Sequence, residues 1–131
     1  MLIIHARIQS IGGDMDRDEL TERTKKFAHR CVKLAMALPE TVLGKHLRGQ
    51  VIRCSTSVAA NYRATCLSQS KASFVAKLSI ALEEADETAF WLEFIIDENL
   101  LKKNLTEPLL KEAVELTKIF ASSRKTASTK N

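Results

Sequence analysis

Carboxylates make up the densest reactive run in the chain. Glu83, Glu84, Asp86 and Glu87 crowd into one EEADE segment, and paired carboxylates can do general acid and base work. At helical spacing these four spread around a helix surface, and no histidine stands near them in sequence. A di-iron bundle needs Glu-x-x-His steps on its helices, and none occurs. His5, His29 and His46 are isolated from one another, which suits surface or satisfied histidines better than a ligand set or a catalytic base. Cys31, Cys54 and Cys66 form no CxxC pair and are odd in number, so they read as reduced thiols in a cytoplasm, without a disulfide framework or zinc site. There is no Gly-rich phosphate loop, no GxSxG and no HExxH. These residues point to a protein that binds, with no enzymatic centre, cofactor or metal.

Charge is the second candidate chemistry. The formal net charge is +4, which permits an acidic partner such as RNA or DNA without requiring one. From Thr41 to Leu82 there are six basic residues and no acid, whereas Glu83 to Glu98 holds seven acids and no base. Two readings follow. In an antiparallel hairpin turning near Leu67, Arg53 lies level with Leu82 to Glu84 and Arg48 with Glu87, so salt bridges absorb the charge. Alternatively, unpaired bases form a phosphate-binding patch from Arg63, Lys71 and Lys77 near that turn and Arg23, Lys25, Lys26, Arg30 and Lys33 upstream. With one Tyr in the chain, contacts to nucleic acid would be mainly to its backbone rather than by base stacking.

Positioning these residues falls to four amphipathic helices. The 131 residues suit a single domain, and 45% hydrophobic content with only four Gly and two Pro favours long regular elements. Asp16 with Glu19 opens the first helix, which ends near Leu38 and Pro39; Leu20, Thr24, Phe27, Cys31, Leu34 and Leu38 share one face. The second runs from about Thr41 to Ala64 through Leu47, Val51, Cys54, Val58 and Asn61, the last read as a buried amide that sets helix register. The third carries Phe74, Leu78, Ala81, Ala85, Thr88, Leu92 and Ile95. A flanking row of Ile80, Glu84, Glu87, Trp91 and Phe94 implies a second buried side, with Phe90, Trp91 and Phe94 as oligomer contacts. The fourth begins at Thr106 and repeats the pattern through Leu109, Ala113, Leu116 and Phe120. Short loops between such helices predict an all-α, antiparallel up-down-up-down four-helix bundle over residues 16–121. Residues 1–15 read as an extension, a candidate for disorder, with Met15 an alternative start, and 122–131 as a basic disordered tail. No run of about 18 apolar residues is available to span a membrane.

The second and third helices also carry a resemblance. LRGQVIRCSTSVAANYRA followed by SKASFVAKLSIALEEADETAFWLEFI resembles the bacterial four helix bundle protein family, known from intervening sequences in large-subunit ribosomal RNA genes. The same fold occurs in the accessory variability protein of diversity-generating retroelements. The family's arginine, then Ser-(Val/Ile)-x-x-Asn, matches Arg53, Ser57, Val58 and Asn61, and its Ser-Lys-x-x-Phe step matches Ser70, Lys71 and Phe74. Many members have Ala-Glu-Gly after the Asn where this chain has Tyr62, Arg63 and Ala64, so it looks like a sub-branch. The resemblance covers roughly Asp16 to Phe120. It implies a homo-oligomer, a pentamer, that binds nucleic acid as an accessory to a reverse transcriptase. A protein-protein scaffold that binds no nucleic acid is the competing function.

Overall fold

The computed structural model describes residues 7–10 and 13–129. Four helices form the body: α1 (Arg17–Met36), α2 (Val42–Cys66), α3 (Lys71–Asp97) and α4 (Lys103–Thr129). Two short strands precede them, β1 (Arg7–Ser10) and β2 (Gly13–Asp16), paired antiparallel with Arg7 opposite Asp16. Leu2, Ile3 and Ile4 of the expected extension lie outside the described residues.

Local chemistry starts each of the first three helices. Asp16 accepts the Glu19 amide at 2.8 Å, Thr41 accepts that of Gly44 at 3.0 Å and Ser70 accepts that of Ser73 at 3.1 Å, each relieving an amide with no intrahelical partner. The turn after α1 is tight. Arg48 donates to the Leu38 carbonyl and to Glu40, both at 2.8 Å, and Pro39 passes so close to α2 that a Cβ on Gly44 would lie 2.0 Å from its carbonyl oxygen. Only glycine fits there. α3 ends with Asn99 in the left-handed region, φ 53°, while the amides of Leu100 and Asn99 donate to the carbonyls of Ile95 and Ile96.

The helices run up-down-up-down. Thr21 beside Cys66, Ser57 beside Glu84 and Ser79 beside Arg124 fix each successive pair as antiparallel, and α4 returns beside α1 with Glu112 against Arg23. α1 and α3 therefore occupy one diagonal of the bundle, α2 and α4 the other. The expected apolar stripes of all four helices are buried, and the small residues Ala81 and Ala85 in the middle of the α3 stripe are fully buried in the core.

Three details depart from the sequence reading. The α2 stripe passes through Tyr62 rather than Asn61: Tyr62 is fully buried and stacks on Phe120 across the α2/α4 diagonal, ring centroids 5.6 Å apart, while Asn61 sits half-buried at the α2–α3 seam. After Val58 a step of three and a step of four are both helical, and the aromatic ring gains more by burial than the amide. α4 begins at Lys103, three residues before Thr106; Pro108 removes a donor from its early part, where the exposed Asn104 lets the freed carbonyl take water. The helix also continues through Thr129, into the segment set apart as a tail, because buried Ser123 and the core-packed Ala127 extend its inner face.

Candidate nucleic-acid interface

With Leu20, Thr24, Phe27, Cys31 and Leu34 turned inward, helical geometry turns Lys25, Lys26, His29, Arg30 and Lys33 outward, and all five are exposed. Lys26, Arg30 and Lys33 form an i, i+4, i+7 row about 10 Å long, comparable to roughly three nucleotide steps of one strand. Among the described residues, Lys25, Lys26, Arg30 and Lys33 form no salt bridge, and α1 has no acid C-terminal to Glu22. Four cations on the outer side of α1, with Glu22 a turn away from Lys25 and Lys26 as the nearest acid on that helix, can attract phosphate.

The remaining nominated bases separate. Arg23 turns toward α4, where its guanidinium donates to both Glu112 oxygens at 2.7 and 2.8 Å, and these bonds raise its pKa further. It is a strut of the α1–α4 seam and leaves the phosphate patch. Arg63, exposed on the last turn of α2, lies near the level of Thr24 and extends one end of the α1 face. Lys71 and Lys77 belong to α3, diagonally across the bundle, so they do not join it.

The motif residues Arg53, Ser57 and Asn61 meet at the α2–α3 seam. Asn61 donates to the Ser57 hydroxyl oxygen at 2.8 Å and to its carbonyl at 2.9 Å, and Ser57 in turn donates to Glu84 at 2.9 Å. Arg53 bonds to Glu84 at 3.4 Å and to Glu87, which also accepts the Trp91 indole N–H at 3.0 Å. The salt-bridge reading thus holds for Arg53, whereas Arg48 pairs with Glu40 in its own turn rather than with Glu87. Ser57 spends its proton on Glu84 and its oxygen on Asn61, so the cluster ties two helices together and exposes no nucleophile.

Charged groups elsewhere are held apart. Arg17 is buried against the Phe74 ring, 4.7 Å from its centroid, with Nε and one terminal nitrogen lacking partners; an aromatic face offsets part of that cost. The three thiols are free and buried. Burial pushes Cys31 up to about 12 and raises Cys54 as well, so at neutral pH they are protonated and unreactive. Among the described residues no group of three or more His, Cys, Asp or Glu could hold a metal ion, and no helix is long and apolar enough to cross a membrane.

The aromatic trio divides between two seams. Trp91 meets α2 at the His46 ring, with ring centroids 5.6 Å apart, and its indole N–H donates to Glu87 of its own helix, which in turn pairs with Arg53 of α2. Phe90, 50% exposed, and Phe94 line a cleft toward α4 of about 360 Å³, which Glu93, Asp97, Lys103, Glu107 and Leu110 complete. The sequence reading missed this cleft because one wall of it, Lys103, Glu107 and Leu110, comes from another helix; the only local signal was an aromatic residue on a helix face that should have been polar.

Comparison with known proteins agrees with this architecture. A solved structure from Bacteroides thetaiotaomicron, described as a protein with unknown function from the S23 ribosomal protein family, is similar at 32% identity and a TM-score of 0.75, covering 85% of this chain and 99% of its own. No curated protein matches significantly. The family described as 23S rRNA-intervening sequence protein matches residues 17–122, most of the chain and all but the last turns of the bundle. With α1 to α3, most of α4 and the seam motif falling inside that match, the chain belongs to the 23S rRNA-intervening sequence protein family.

Proposed function

We propose that this bundle is a cytoplasmic, non-enzymatic nucleic-acid-binding protein that grips the phosphate backbone through α1. The observation that carries the reading is the set of exposed, unpaired Lys25, Lys26, Arg30 and Lys33, with Arg63 at its edge. The rRNA-derived family name and the +4 net charge support it. By its resemblance to accessory variability proteins, the working assembly is a homo-oligomer, a pentamer, serving a reverse transcriptase. Binding is sequence-tolerant, since the side chains offer charge and no stacking surface.

Fluorescence anisotropy with short RNA and DNA duplexes and single strands at about 50 mM salt tests the proposal, because electrostatic binding is strong there. Four phosphate contacts give a log–log salt slope of about −3 to −4. Changing Lys25, Lys26, Arg30 and Lys33 together to Glu abolishes binding while helicity is kept. Absence of binding by the unmodified protein at that salt defeats the reading. Light scattering tests the assembly, and a clean monomer at micromolar concentration removes the oligomer from it.

A second reading, a protein-interaction module, is favoured by one observation: Phe90 stands half exposed against Trp91 and Phe94, with ring centroids 4.9 and 6.1 Å away. An exposed aromatic cluster of this kind suits a partner's apolar side chains.

A further inference from the structure

We infer that the cleft between the end of α3 and the start of α4 seats a short basic, apolar-anchored helix from a partner protein; this rests on the interaction-module reading and names its partner chemistry. Phe90, Phe94 and Leu110 make an apolar floor, and Glu93, Asp97 and Glu107 stand around it. All three carboxylates are exposed and form no salt bridge among the described residues. One ammonium, Lys103, opposes three carboxylates, so the rim is net acidic.

That arrangement selects its occupant. A neutral apolar segment would bury the phenyl rings but leave the carboxylates facing a low-dielectric partner, and an acidic segment would be repelled. An amphipathic helix with apolar residues on one face and Lys or Arg beside them satisfies floor and rim together, as in other helix-in-groove complexes. The far end of α4 does not reach the cleft: Thr129 lies about 40 Å along the helix from Lys103. The cleft also lies at the α3–α4 seam, apart from the outward basic residues of α1, so a basic protein and a nucleic acid can be held at once at separate places on the bundle.

The test uses the full chain and a fluorescein-labelled twelve-residue synthetic peptide with leucines at i, i+4 and i+7 and Lys or Arg elsewhere. Two companion peptides carry Glu for every base or Ser for every leucine. Binding is expected for the basic leucine peptide alone. It is expected to weaken roughly tenfold in the combined variant Glu93→Gln, Asp97→Asn, Glu107→Gln, since three partly screened charge pairs are lost, and to fall comparably in Phe90→Ser. All four positions are exposed, and circular dichroism checks that the helices persist. The inference is overturned if the acidic peptide binds as well as the basic one, or if both variants bind as tightly as the unmodified protein. It is also overturned if the basic peptide fails to bind while light scattering shows an oligomer that Phe90→Ser dissociates; a second copy then owns the cleft, and the interaction-module reading survives. No peptide binding and no self-association defeats both.

Discussion

Arg23 and Glu112 face each other across the α1–α4 seam in a two-pronged pair, with nitrogen-to-oxygen distances of 2.7 and 2.8 Å. Both side chains are more than two-thirds shielded from solvent. The planar fork of a guanidinium suits a carboxylate held edge-on, which gives the pair geometric specificity as well as attraction. Arg23→Gln is therefore expected to lower stability by roughly 1 to 2 kcal/mol, the range for a charge-assisted pair that is still partly wet. Urea unfolding measures this, and RNA affinity per folded molecule should stay within about twofold of the unmodified protein. A large loss of affinity with unchanged stability would return Arg23 to the phosphate-binding face.

Gly44 and Gly49 lie in the same helix and should respond in opposite directions. A methyl group at Gly44 would meet the Pro39 carbonyl oxygen at 2.0 Å, and backbone cannot yield cheaply, so Gly44→Ala should cost about 2 to 3 kcal/mol. Nothing lies within 4 Å of a Cβ at Gly49, so Gly49→Ala should gain about 0.5 to 1 kcal/mol from helix propensity alone. Equal effects on thermal midpoint in the two variants would refute the packing of the α1–α2 turn.

At the α2–α3 seam, Ser57 and Glu84 should couple. Glu84→Ala removes the acceptor of the Ser57 hydroxyl and one of the two carboxylates beside Arg53, and is expected to cost about 1 to 2 kcal/mol. Arg53→Ala should cost less than about 1 kcal/mol, because Arg53 is half exposed and Glu84 keeps its bond from Ser57. A double-mutant cycle of Ser57→Ala with Glu84→Ala should return a coupling of about 1 kcal/mol; strict additivity would mean that the hydrogen bond contributes nothing.

Stability should decline in alkali. Burial raises the Cys31 thiol from 9.0 to about 12 and shifts Cys54 and Tyr62 in the same direction. Below about pH 9 the thiols hold their protons in folded and unfolded chains alike. Above it, the unfolded chain releases the Cys31 proton while the folded chain keeps it until about pH 12, so unfolding is favoured increasingly across that window. Each such group contributes a slope of up to about 1.4 kcal/mol per pH unit. Urea midpoints at pH 8 and 10.5 should differ, and Cys31→Val should flatten the difference. A profile flat to pH 11 would show that the thiols are not held neutral.

Helix existence, order and inward faces were legible in the sequence because they depend on a local period: residues three and four apart share a face whatever the rest of the chain does. Asp16 with Glu19 marked the first cap for the same reason, since the bond spans three residues. The ambiguous step after Val58 was not decidable locally. Tyr62 or Asn61 could each have pointed inward, and Phe120 on the diagonal helix supplies the ring on which Tyr62 stacks. Charge partners were less legible still. Arg23 reaches a carboxylate 89 residues away, and a long flexible side chain on a seam can turn to solvent or to a neighbour at little local cost. Only the packing of α4 beside α1 chooses between them. It leaves Lys25, Lys26, Arg30 and Lys33 as the basic face of α1, just as the meeting of α3 with α4 creates an acidic cleft that neither helix contains by itself.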